Sequence, residues 1–462
     1  CGGDAPPALE PFLELALDRK YSAGTGEQFF TGGGIHTFGN FNRADGGRIV
    51  TVREATRQSI NLAYVRLMRD LVRFHEARLP YDTERILAEP DHPTRLRMLR
   101  EIAEEESRYF LREAWRAFRK REANAVLEAL LGERAQSPRH LAITFYAWHR
   151  GGDAAALAAW MERFGADGSP EAVERWVKAY GNPRLNLSDY GYLLGVHPLR
   201  VWTAGALFRE PELAWEELWA RSGAARQVTA VWLLKAGNRA PQERRLRIRF
   251  EQDAFRRMTP AWRRLRFPFD SLVPSLATAL GSSGDRPEAL AELMGILLND
   301  GEYRPAMRVK RLRFAENTPY ETTLEPDEAE GRRVLPRAAA RAMLPVLAGV
   351  VESGTAARLS GVFVLEGNPL VAGGKTGSGD NRINTVDRRG RVLSSRAMDR
   401  TATFVFYIGD RYFGVLTAFV PGDRAEEYRF TSSLPVSILR ILAPDIQALR
   451  TRSDKIEAPQ DR

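Results

Sequence analysis

The sequence predicts an α+β fold: an antiparallel sheet flanked by helices, interrupted by an α-rich insertion. Three observations predict it. Residues 401–408 and 411–420 are two runs of β-branched and aromatic residues around Gly409-Asp410, the pattern of a hairpin. Their near-continuous apolarity implies a sheet covered on both faces. Apolar residues at helical spacing precede this hairpin over 336–351 and follow it over 433–449, which places helices beside the sheet.

The elements follow in chain order. Ser59-Ile60-Asn61, taken alone, reads as a helix start or an internal turn. A long helix is expected over 97–131, where Leu99, Ile102, Phe110, Leu111, Trp115, Phe118, Val126 and Leu130 recur among few breakers. Gly151-Gly152-Asp153 precedes another helix at Ala154, and Ser169-Pro170-Glu171 supplies a cap and a first-turn proline. Residues 213–222 read as helix. Trp202, Trp215, Trp219 and Trp232 are expected in the core of this region. Pro336 suits a helix start and Gly354 a helix end. Pro345 and Pro444 are expected to kink or end their helices. The expected organisation is 1–75, an α-rich insertion over 76–265, a second half over 266–450, and a polar tail over 451–462.

The chemistry centres on Gly373-Gly374-Lys375-Thr376-Gly377-Ser378. A phosphate loop would need a glycine five positions before the Gly-Lys pair, and Pro369 stands there. Such a loop also runs into a helix, but Gly377-Ser378-Gly379-Asp380-Asn381 has no helical period. Lysine on a strand edge beside hydroxyl residues is instead a device for holding a carboxylate next to a reacting carbonyl. The simpler reading of these residues alone is a polar turn ending a buried strand. Gly32-Gly33-Gly34 has no following lysine and reads as a flexible turn.

In this order, Ser59-Ile60-Asn61, the stretches Pro274-Ser275-Leu276-Ala277, Pro287-Glu288-Ala289-Leu290-Ala291 and Asn299-Asp300-Gly301, then Val350-Val351-Glu352-Ser353-Gly354-Thr355-Ala356 and Lys375-Thr376-Gly377 together resemble the transpeptidase domain of penicillin-binding proteins, of the bifunctional glycosyltransferase class. The resemblance covers roughly residues 20–70 and 265–440. It implies the serine β-lactamase/transpeptidase-like fold and acyl transfer through a serine ester on D-Ala-D-Ala stems in cell-wall biosynthesis. By that resemblance Ser59 relays a proton to the leaving amine and Asn61 binds the stem peptide. Lys375 adds positive potential beside Ser59. Thr376 and Ser378 grip the terminal carboxylate of a stem peptide or a β-lactam, Gly377 belongs to the same substrate-binding edge, and the Ser378 N–H forms half of an oxyanion hole. No cofactor and no metal are implied. Expected partners are the peptidoglycan stem, cell-wall synthesis proteins, and a membrane reached through a segment outside this chain. Expected placement is periplasmic or extracytoplasmic, at the inner membrane.

The family pattern is departed from twice. Its S-x-x-K nucleophile motif is missing: no serine of this chain has lysine at the third position after it. Pro7-Ala8-Leu9-Glu10-Pro11-Phe12 would put proline for the serine and glutamate for the lysine, giving a dead enzyme; the other expectation is a motif upstream of residue 1. This chain alone is expected to bind carboxylate weakly without turnover. Secondly, residues 380–400, with Arg388-Arg389-Gly390-Arg391, form a longer polar connection than the family uses.

Composition sets outer bounds. The 462 residues are 44% hydrophobic and 27% charged, a globular balance with room for two or three domains. One cysteine excludes an internal disulfide framework. Cys1-Gly2-Gly3-Asp4 permits an acylated lipoprotein start, and the first residue of a fragment is the simpler reading. No apolar stretch is long enough to span a bilayer. The six histidines are scattered without ligand spacing. A net charge of +9 comes largely from arginine, in clusters such as 244–249, 256–257, 263–266 and 308–311, interleaved with acids. This suits a solvated surface or attraction to anionic lipid or acidic polymer. Two other functions stay open: a non-catalytic scaffold of the wall machinery, and an arginine-rich nucleic-acid-binding protein, which the interleaved acids do not favour.

Overall fold

The computed structural model describes residues 9–235, 237–325, 330–386 and 392–457. The chain forms two compact units: residues 1–79 with 251–462, and residues 80–250. The sequence places the insertion at 76–265; the long helix Arg239–Arg264 carries the boundary, because Ala254, Phe255 and Met258 pack with Leu62, Val65 and Phe29 of the first unit.

The first unit is α+β. Its sheet is a three-stranded antiparallel meander of Ala372–Val386, Val392–Ile408 and Tyr412–Pro421. Lys375 pairs with Val405, which pairs with Val415. Alternation sends side chains to opposite faces, and helices cover both. Phe404, Ile408 and Ala372 pack with Val436, Leu439 and Ala443 of the helix Ser433–Glu457. On the other face Tyr407 packs with Met294 and Leu297 of Pro287–Leu298 and with Ala340 and Leu347 of Arg337–Glu352.

Several local expectations change. The hairpin connection has three residues, because Ile408 pairs with Tyr412; Gly409 at φ +63° begins it. Neither Pro345 nor Pro444 ends its helix, since both lie inside continuous helical spans; packing of the flanking turns on the sheet offsets the single lost hydrogen bond. Pro336 is the cap of its helix, one position before the first turn. Gly354 lies beyond the helix end at Glu352 and serves close approach: a β-carbon there would stand 2.2 Å from the Arg57 carbonyl oxygen. The polar segment 380–400 extends the two sheet strands as a ribbon, tied by Asn381 to Asp399 and Arg382 to Ser395; Arg388, Arg389 and Arg391 lie outside the described residues.

The triglycine segment is also more constrained than a flexible turn. Gly32 and Gly33, at φ +57° and +81°, form the two-residue link between Gln28–Thr31 and Gly34–Thr37. Such a link needs left-handed residues. The Gly32 N–H donates to the Glu251 carboxylate at 2.8 Å, and the Thr31 hydroxyl donates to the same group. Burial pushes the Glu251 carboxyl up from its ordinary value.

The second unit is helical. The expected helix over 97–131 divides into Pro93–Phe118 and Ala123–Leu131. Lys120 at φ +58° turns the chain between them and donates its N–H to Pro211. Ser169 caps Pro170–Tyr180 by accepting from the Ala172 N–H. Trp202, Trp215 and Trp219 pack against a core that includes Leu111, Phe118, Leu141 and Leu207; the side chain of Trp232 lies outside the described residues. A cavity of about 670 Å³ in this unit is lined by Phe110, His197 and Leu233, with the Glu106–Arg245 pair at its edge. Phe110 and His197 stack at 3.7 Å, and burial lowers the imidazole to about 4. Among the described residues no helix is long and apolar enough to cross a membrane, and no cluster of His, Cys, Asp and Glu could hold a metal ion.

Candidate functional site

The site begins with a short helix that ends against its own sequence preference. Thr51 caps Val52–Gln58 by accepting from the Glu54 N–H at 3.0 Å. Ser59 ends the helix in the left-handed region, at φ 54° and ψ 52°. A non-glycine residue there costs about 1–2 kcal/mol. Ile60 holds the turn: its side chain is fully buried among Tyr21, Val50, Ala55 and Ala63. Asn61 then starts the helix Asn61–Glu76. With Ile60 anchored inward, the Ser59 hydroxyl is left to face the sheet.

The sheet supplies the partner. The Lys375 ammonium donates to the Ser59 hydroxyl at 2.7 Å and to the Thr376 carbonyl at 2.8 Å. An ammonium has three protons, so one remains for a ligand. Burial of the lysine lowers it to about 8. Lys375 and Ser59 stand 316 positions apart along the chain.

The remaining predicted residues take distinct places. The Thr376 side chain is buried, and its hydroxyl meets that of Thr355 at 2.7 Å. The Ser378 hydroxyl accepts from the Ser432 N–H at 2.9 Å, which leaves its own proton to donate. Asn61 donates to the Gly39 carbonyl at 3.0 Å, leaving its amide oxygen as an acceptor. Gly377 is exposed. Glu10 is exposed in the helix Leu9–Leu17, and Pro7 lies outside the described residues.

Three supporting groups had no role assigned from sequence. Thr355 is brought to Thr376 because Gly354 lets the chain approach Arg57, whose carbonyl accepts the Thr355 N–H at 3.2 Å. Asn40 joins two segments, donating to the Ala23 carbonyl at 2.8 Å and accepting the Leu62 N–H at 3.0 Å. Ser432 orients Ser378 from the loop before the C-terminal helix. The Ser-Gly-Thr-Ala run signalled the first; nothing local marked Asn40 or Ser432.

Gly377 lies two residues along the strand from Lys375 and so shares its face. A β-carbon on it would meet no atom within 4 Å. Gly377→Ala is therefore expected to leave stability within about 0.5 kcal/mol while placing a methyl group in the open space on the strand face that Lys375 shares. A carboxylate ligand that binds the native protein should bind this variant at least tenfold more weakly. Paired thermal melts and ligand titrations check both halves, and undiminished binding would show that no ligand lies along this strand.

No family model matches this chain, and no curated protein matches it. Among solved structures it is similar to the D,D-transpeptidase domain of a peptidoglycan glycosyltransferase from Eggerthella lenta, at 14% identity and TM-score 0.36, over 96% of this chain and 63% of that one. It is also similar to penicillin-binding protein 3 from Mycobacterium tuberculosis, at 13% identity and TM-score 0.28, over 50% of each chain. A third neighbour is penicillin-binding protein A from M. tuberculosis, at 18% identity and TM-score 0.27, over 43% of this chain and 44% of that one. The chain thus spans less than two thirds of each of these structures. The α+β arrangement and the chemistry of the Lys375 site rest on the chain's own geometry.

Proposed function

We propose that the first unit is a carboxylate-recognition cleft of the penicillin-binding type, which takes the C-terminal carboxylate of a D-Ala-D-Ala stem peptide or of a β-lactam. The observation that carries this reading is the 2.7 Å contact between the Lys375 ammonium and the Ser59 hydroxyl. A half-buried cation with one free proton, beside a Ser378 hydroxyl that is also free to donate, suits a carboxylate, because hydrogen bonds to a charged acceptor are about twice as strong as neutral ones. In this reading the Asn61 amide oxygen accepts an N–H of an extended peptide, and Thr376, held by Thr355, positions the strand.

Serine acyl transfer needs an activated nucleophile, and no serine of this sequence stands in an S-x-x-K motif. The proposed activity of this chain is therefore recognition without covalent turnover. In the extracytoplasmic wall-synthesis machinery this is the role of a substrate-binding scaffold, with stem peptide and wall-synthesis proteins as partners. Nucleic-acid binding has less support, because many clustered arginines are already paired: Arg245 with Glu106, Arg249 with Glu105, Arg266 with Glu292, and Arg308 with Glu288.

The test compares D-Ala-D-Ala with its C-terminal amide by equilibrium titration, alongside incubation with a fluorescent penicillin and a denaturing gel. The dipeptide should bind and the amide should not, with no label surviving denaturation. Equal binding of acid and amide rejects carboxylate recognition; a persistent label rejects the non-covalent reading.

A further inference from the structure

A second charged feature of the first unit shares no residue with the Lys375 cleft. The last three turns of the helix Arg239–Arg264 contribute Phe255, Arg256, Arg263 and Arg264 to the lining of a cavity of about 650 Å³. Leu272 and Arg332 also line it.

The charge here is unbalanced. Arg256 is paired with Asp253, and Arg263 lies 3.5 Å from the exposed Asp270. Among the described residues neither Arg264 nor Arg332 has an acidic partner. Guanidinium groups offer a planar fork of donors that matches phosphate oxygens two at a time. The apolar lining residues Phe255 and Leu272, both buried, suit an organic body attached to that phosphate. Asp270 also lines the cavity, so the charge left over is that of Arg264 and Arg332, which suits the two charges of a phosphate better than the single charge of a carboxylate.

We propose that this cavity binds a phosphate-bearing ligand, with Arg264 and Arg332 as the principal contacts and Arg263 in support. The phosphate could be carried by a soluble compound or by a lipid headgroup, since the recognition chemistry is the same.

The experiment uses the full chain, with Arg264→Glu/Arg332→Glu as the test variant and Arg308→Glu as the control. Arg308 is exposed and lies outside the cavity. Inorganic pyrophosphate is titrated calorimetrically, and vesicles of phosphatidylglycerol in phosphatidylcholine are co-sedimented against pure phosphatidylcholine vesicles. Binding of pyrophosphate that falls at least tenfold in the test variant, and little in the control, supports the cavity with a soluble source. Selective sedimentation with the anionic vesicles, lost in the test variant alone, supports it with a lipid source. Absence of both, or equal losses in test and control, overturns the proposal. Because Arg264 and Arg332 are exposed and have no acidic partner among the described residues, the test variant should melt with the native protein; a Lys375→Met variant should retain phosphate binding, which separates this proposal from the carboxylate reading.

Discussion

Replacing Lys375 by methionine is expected to weaken carboxylate binding by about tenfold to more than a hundredfold without lowering the stability of the fold at neutral pH. The ammonium makes two hydrogen bonds, to Ser59 and to the Thr376 carbonyl, and burial alone lowers it from 10.5 to about 8. The lowering measures what it costs to keep the charge out of water: about 3 kcal/mol at most, at 1.36 kcal/mol per unit. Methionine fills similar space without that cost, whereas the ligand loses a charge-assisted hydrogen bond of about 1.5–3 kcal/mol, roughly tenfold to more than a hundredfold in affinity.

The same shift fixes the pH dependence. Between pH 8 and 10.5 the unfolded lysine holds its proton while the folded one has released it. The unfolded state then binds more protons, so native stability rises with pH across that window. The desolvation cost is fully present below pH 8 and is gone above 10.5. Affinity for a carboxylate runs the other way, level below about pH 8 and falling above it as the ammonium is lost. Urea melts and D-Ala-D-Ala titrations from pH 6 to 10 check both slopes. Stability that is flat over pH 8–10.5, or affinity that rises with pH, would show that Lys375 is not the desolvated cation of the site.

The second large effect concerns Ser59. Its left-handed backbone is one that glycine adopts freely. Ser59→Gly and Ser59→Ala both remove the hydroxyl that receives the Lys375 proton, but only glycine also removes the backbone cost. Ser59→Ala should be less stable than Ser59→Gly by about 1–2 kcal/mol, the reverse of their order in a helix interior. Both should weaken ligand binding to a similar degree. Equal stability of the two variants would mean that the turn relaxes when the side chain is cut back, and that Ile60 does not hold it.

Much of the fold was legible because it depends on local pattern. The hairpin announced itself through β-branched and aromatic runs around Gly409-Asp410, and the helix at Pro170 through Ser169 and the proline after it. Where reading failed, packing overrode propensity. Pro345 and Pro444 sit within helices whose neighbouring turns are pressed onto a sheet, and the polar run pairs as a ribbon over 380–386 and 392–400 although charged and small polar residues dominate it. Apolar period alone could not place the break at Lys120, because one left-handed residue leaves the surrounding pattern intact.

The candidate site divides along the same line. Sequence by itself singled out the strand from Lys375 to Ser378, a lysine among hydroxyls and glycines, whereas Ser59 and Asn61 entered only through the family resemblance of the ordered segments, since Ser-x-Asn alone recurs by chance. It also established that no serine is followed by lysine at the third position. Only the tertiary structure decided which hydroxyl remains open: Thr376 is enclosed against Thr355, whereas Ser378 is turned outward by Ser432. It alone introduced Asn40 as the tie that holds the Asn61 helix. The physical reason is that a hydrogen bond is decided by separations of a few tenths of an ångström, and the 2.7 Å between Lys375 and Ser59 is the sum of every packing contact in the unit that joins them.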